Sequence, residues 1–159
     1  MLYRYGTYRR TLPASGYFNA GDIFVLLSAW CLGPLFGSVA SAVGSALADI
    51  VSGFAIYAPA TFLIKGLDAL VAYTVYAFLK KRLQKESLDF IPRALSAILG
   101  EALMVAGYFL FECLLYGVIG ATPNILGNLL QGGCCTVLSV ALVSILYPVK
   151  TVRQLFPRL

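Results

Sequence analysis

Between Ile23 and Val51 the chain runs for 29 residues with one charged side chain, Asp49. As a single helix this stretch measures about 43 Å, against about 30 Å of bilayer hydrocarbon. Three more apolar stretches follow: one ending at Lys80-Lys81-Arg82, one from about Ala94 to Tyr116, and one from Ile125 to Val149. None shows the two-residue alternation of a strand, so all read as helices. Charged residues make up 12% of the 159, roughly half the share of an ordinary soluble domain, and the mean hydropathy is +0.84. The expected fold is therefore all-α: a multi-pass integral membrane helix bundle of about five membrane helices in one membrane domain. A cytosolic enzyme, a secreted disulfide scaffold and a disordered tail are excluded.

Punctuation along the chain sets the expected segments. Residues 1–21 are polar and aromatic, with Arg4, Arg9 and Arg10, and read as an arm or extracellular loop. Residues 22–53 are expected as two short helices split at Gly33-Pro34, because glycine followed by proline is a strong breaker. A helix over 59–80, a cytoplasmic loop over 81–93, helices over 94–117 and 124–150, and a basic tail over 151–159 complete the list. The stretch from Pro34 to Asp49 is small on every face, with Gly37, Ser41 and Ser45 on one stripe and Ala40, Gly44 and Ala48 on another. It is expected to be enclosed by other helices.

The net charge of +5 resides in the loops, where it reads as a topology signal rather than a nucleic-acid patch. Lys80, Lys81, Arg82, Lys85 and Arg93 precede the third stretch, and Lys150, Arg153 and Arg158 follow the fourth; the turns near 53–58 and 117–123 carry no basic residue. The basic loop and the C-terminus are expected in the cytoplasm of a prokaryotic cell membrane. With no histidine and no CxxC pair, a zinc site and imidazole-based catalysis are not expected. Cys31, Cys113, Cys134 and Cys135 read as packing residues, no phosphate loop is present, and no cofactor is expected.

A polar side chain inside a span is costly, so each one is a candidate functional residue. Asp49, Lys65, Asp68, Glu101 and Glu112 are the ionisable ones, joined by Asn128 and Gln131. Counted from the turns, all except Glu101 fall in one shallow layer under the outer surface, with Glu101 deeper. Glu101, Tyr108 and Glu112 share a helical stripe, as do Asn124, Asn128 and Gln131. The expected site is a pocket for a small polar molecule, with Lys65 paired to Asp49 or Asp68 in the alternative that these groups only hold helices together. Glu101 and Glu112 stand about 16 Å apart along one helix, too far for a catalytic dyad.

The segments GYFNAGD (Gly16–Asp22), GPLFGSVASAVGSALADIVSG (Gly33–Gly53), YAPATFLIKGLDAL (Tyr57–Leu70), EALMVAGYFLFECLLYG (Glu101–Gly117) and NILGNLLQG (Asn124–Gly132) resemble the substrate-binding S component of energy-coupling-factor (ECF) vitamin transporters. The resemblance implies six membrane helices in the family and a vitamin-sized pocket near the extracellular face. That pocket is built from the first extracellular loop and the later helices, which brings in Asn19, Asp22 and Tyr57 beside Asp49, Lys65, Tyr108, Glu112, Asn128 and Gln131. It also implies a transmembrane T component and two cytoplasmic ATPases as partners, with no nucleotide site in this chain. In the family an apolar helix precedes the GYxNxGD segment, whereas polar residues precede Gly16 here. The expectation is of a member lacking its first helix, inserting without supporting energised uptake.

The expected function is capture of a vitamin or vitamin precursor at the extracellular side, not enzymatic turnover. Carboxylates, one lysine, amides and tyrosines suit a polar aromatic heterocycle, and a pyridoxine-like or pyrimidine-type compound is favoured over riboflavin. The alternatives are a structural or assembly membrane protein and an inactive, truncated S component.

Overall fold

A straight helix of 57 residues would measure about 86 Å, nearly three bilayer cores, so a helical run of that length has to turn back. Two runs in this chain do. A computed structural model of the protein describes residues 20–83 and 89–156, which form four helices: α1 (Gly21–Val51), α2 (Ala58–Leu83), α3 (Phe90–Leu146) and α4 (Lys150–Leu155). In α1 the backbone leaves helical geometry at Gly33 (φ 84°, ψ −173°), and in α3 at Gly117 (φ 73°, ψ 167°). That region of backbone space is open essentially to glycine alone, so one residue reverses the chain. Pro34, with its φ already fixed near the helical value, restarts the helix after the first reversal.

α1 and α3 are thus helical hairpins, each with two limbs. Across Gly33, the Ser41 hydroxyl donates to the Val25 carbonyl at 3.5 Å. Across Gly117, Gly132 of the second limb of α3 packs on Glu101 of the first. The helical class of the sequence reading holds, but the chain has three long apolar helices, α1, α2 and α3, instead of about five separate ones. The five limbs appear once the two glycine reversals are counted. The expected turn over 117–123 contracts to Gly117, with Pro123 already inside the second limb. The expected loop 81–93 is shortened from both sides, α2 running to Leu83 and α3 starting at Phe90. Part of the expected basic tail is helical, as α4.

Polar and apolar residues are distributed as a bilayer demands, with lipid as the outer solvent. Asp22, Lys65, Asp68, Arg93, Ser96, Glu101 and Glu112 are buried, while Val51, Leu114 and Ile119 are 87%, 85% and 92% exposed. The apolar core gathers Val25, Leu26 and Trp30 of α1, Ala72 and Tyr76 of α2, and Ala97 and Val143 of α3. Trp30 donates its indole N–H to Ser96 Oγ at 3.1 Å, and Ser96 in turn donates to the Arg93 carbonyl. Within this chain the Pro34–Asp49 stretch is enclosed on one side: Gly37, Ser41 and Ala42 are buried, whereas Ala40, Gly44 and Ala48 face outward. One inward face is enough for the close approach that small residues allow.

Candidate ligand-binding site

Residues 57, 61, 65 and 68 of the sequence follow helical spacing, so Tyr57 at the mouth of α2 and Thr61, Lys65 and Asp68 within it lie on one stripe. The first limb of α3 presents Glu101, Tyr108 and Glu112 on a stripe of its own. Where the two stripes face each other, polar side chains form a column that starts at the end carrying Tyr57 and Gly117 and runs inward.

At its mouth the Tyr57 hydroxyl donates to Glu112 Oε1 at 3.4 Å and lies 3.4 Å from the Tyr116 hydroxyl. The Tyr57 ring meets Phe111 edge-on, with centroids 5.4 Å apart, and Asn124 also hydrogen-bonds Glu112. Burial, reinforced by Tyr116 and Glu112, pushes the Tyr57 hydroxyl well above its ordinary range, so it stays a donor.

One turn further in, Thr61 Oγ1 donates to Asp49 Oδ2 at 2.5 Å and lies 3.0 Å from the Tyr108 hydroxyl. A threonine has one hydroxyl proton; since Asp49 takes it, Tyr108 is the donor in the second bond. The Lys65 ammonium lies 5.6 Å from the centre of the Tyr108 ring, within cation–π range.

At the base, Lys65 pairs with Asp22 Oδ1, with Asp68 Oδ2 3.9 Å away. Gln131 donates to the other Asp22 oxygen at 2.6 Å. Asp22, Asp68 and Glu101 bring one carboxylate oxygen each to within 4.8 Å of one another.

Sequence reasoning therefore named most of the column but misjudged its shape. Asp22, Asp49, Tyr57, Lys65, Tyr108, Glu112 and Gln131 all line it, and Asn128 is half-buried between Asn124 and Gln131 on the second limb of α3. Asn19 lies outside the described residues. The residues are stacked through depth rather than spread in one shallow layer. The principal partner of Lys65 is Asp22, not Asp49 or Asp68, because the start of α1 is sunk beside the middle of α2. Glu101 is not set apart: a carboxylate far from Glu112 along its own helix is near two others across helix boundaries. Thr61 was missed, although its place one turn from both Tyr57 and Lys65 was a usable signal.

Apolar residues outside and a polar column reaching in from one end suit a membrane protein that handles a polar solute. The family described as ECF-type riboflavin transporter, S component, matches residues 10–148. The chain belongs to this family, whose members are substrate-binding subunits of ECF transporters. It is also similar to an uncharacterized protein of Pyrococcus woesei, 36% identical over 124 residues, which covers 77% of this chain and 78% of the relative. No solved structure matches it.

Proposed function

We propose that this chain captures riboflavin from the outer side of the membrane, for uptake driven by two ATPases through a T component. The observation that carries the reading is the continuous polar column from Tyr57 and Glu112 to Lys65 and Gln131, in a chain of a family described by riboflavin transport. Riboflavin joins a flat tricyclic ring, which ends in a pyrimidine edge, to a chain of hydroxyls. Tyrosine and phenylalanine rings suit the flat faces. Lys65 and Gln131 supply donors for ring carbonyls, and Asp49 and Glu112 accept from N–H or hydroxyl groups. The family description thus moves the choice from the pyridoxine-like or pyrimidine-type compound expected above to riboflavin, which that expectation had ranked lower.

Titration of the purified chain with riboflavin, followed by flavin fluorescence and by calorimetry, is expected to show one site per chain, with pyridoxine far weaker. Tight binding of pyridoxine and none of riboflavin would overturn the substrate. Binding of neither would favour a structural role for the column, since many of its groups also hydrogen-bond one another.

The same reading places the column's mouth outside and the end bearing Lys80, Lys81, Arg82, Arg93, Lys150 and Arg153 in the cytoplasm, in line with the positive-inside rule. A cysteine introduced as Ser87→Cys is expected to resist an impermeant thiol reagent in intact cells and to react after lysis. Labelling in intact cells would invert the topology.

A further inference from the structure

Four carboxylate oxygens at the base of the column, both of Asp68 and both of Glu101, accept no hydrogen bond from any described residue. Asp68 is fully buried and Glu101 is 4% exposed. Leaving such oxygens unmatched is costly in a low-dielectric interior. With Asp22 they form a group of three carboxylates within 4.8 Å, drawn from α1, α2 and α3, and one ammonium, Lys65, faces them. When all four groups are ionised, three negative charges against one positive leave a net charge of −2.

The backbone around these oxygens is shaped to admit them. A Cβ at Gly100 would lie 2.4 Å from Asp68 Oδ1, and one at Gly132 would lie 3.0 Å from Glu101 Oε2. Each carboxylate thus sits where a neighbouring helix has no side chain. Lys65 and Gln131 draw on the two oxygens of Asp22, so the unmatched acceptors converge on the Asp68–Glu101 side of the group.

We propose that Asp22, Asp68 and Glu101 hold a hard divalent cation of calcium size beneath the vitamin pocket. Oxygen-only ligands select hard cations over zinc or copper. A buried cage of three protein carboxylates suits calcium, which takes several oxygen ligands in flexible geometry, better than magnesium, which dehydrates reluctantly and keeps its waters. A divalent ion also cancels the net charge, whereas a monovalent one leaves half of it. The ion ties three helices together below Lys65 and holds that ammonium at the floor of the pocket.

The test uses the whole chain in detergent, stripped with chelator and free of vitamin, so failure of riboflavin binding does not decide it. Calcium chloride alone is expected to bind at one ion per chain by calorimetry and to raise the unfolding temperature, with magnesium markedly weaker. Asp68→Asn and Glu101→Gln should each weaken calcium binding at least tenfold. Both remove charge from a crowded group without adding volume, and either alone suffices if the other fails to fold. Asp89→Asn, a carboxylate at the opposite end, should leave it unchanged. Three results would overturn the proposal: no heat and no thermal shift at millimolar calcium; stabilisation by acid but not by metal, meaning that the oxygens carry protons; or calcium binding by the two variants as tight as by the unaltered chain.

Discussion

Two buried clusters of charge lie at different depths, one near the basic end of the bundle and one within its interior, and they are built differently. Around Arg93, 2% exposed, the cations Arg93 and Lys80 share one carboxylate, Asp89, and aromatic faces cover them, while Arg93 Nε has no hydrogen-bond partner among the described residues. Its guanidinium donates to Asp89 at 2.5 Å and lies 5.7 Å and 5.1 Å from the ring centres of Tyr76 and Tyr147. Lys80 donates to the Tyr76 hydroxyl at 2.8 Å and lies 3.9 Å from Asp89. Around Lys65 the carboxylates outnumber the cation, and the oxygens of Asp68 and Glu101 are left without hydrogen bonds from the described residues. Cations in excess can rest on tyrosine faces, as Lys80 and Arg93 do; excess carboxylates have no such recourse.

The largest effect is expected where the comparison is sharpest. Lys65→Met removes the ammonium that faces three carboxylates, and breaking a buried pair in this way costs about 3–5 kcal/mol. Thermal unfolding in detergent should show the loss, together with abolished riboflavin binding. An unchanged unfolding temperature would mean that the carboxylates are neutral without Lys65.

Glu112→Ala tests the mouth of the column. Riboflavin affinity should fall by about 1.5–3 kcal/mol, the range for a hydrogen bond to a charged group, with little change in unfolding temperature. Arg93→Met should do the reverse, lowering stability by a similar amount, about 1.5–3 kcal/mol, and leaving riboflavin affinity intact. If Arg93→Met weakened the vitamin as strongly as Glu112→Ala, the two ends would not be separable. The smallest effect is expected from Thr61→Val, which deletes the bond to Asp49 and the acceptor for Tyr108 while keeping the shape. It should cost about 1 kcal/mol in stability, and a larger loss in affinity than in stability would put Thr61 among the groups that touch the vitamin.

Much of this contrast was readable from residue types. Asp49, Lys65 and Glu112 stand out because nothing in a lipid-facing helix explains them, and the basic residues marked the end of α2 and both ends of α3. What stayed hidden was partnership across helices. Spacing along α3 places Glu101 far from Glu112, but no periodicity says that Asp22 and Asp68 come alongside it. That follows from how deeply the start of α1 sinks between its neighbours, which depends on packing. The reversals were half-legible: Gly33-Pro34 announced itself, whereas Gly117 hid in a stretch that suggested a seven-residue turn. A single positive-φ glycine leaves little trace in sequence.

The crest at Gly117 also bears on how the protein is inserted. Arg93 lies near the start of α3, and Lys150 and Arg153 lie just past its end; in the orientation proposed above, these cations stay on the side from which the hairpin enters. The part that has to be translocated is the tip around Leu114, Val118 and Ile119, which is apolar and largely exposed. Folded back at one residue, α3 passes through hydrocarbon as a paired wedge, its backbone hydrogen bonds already made within each limb. No charged loop is dragged across.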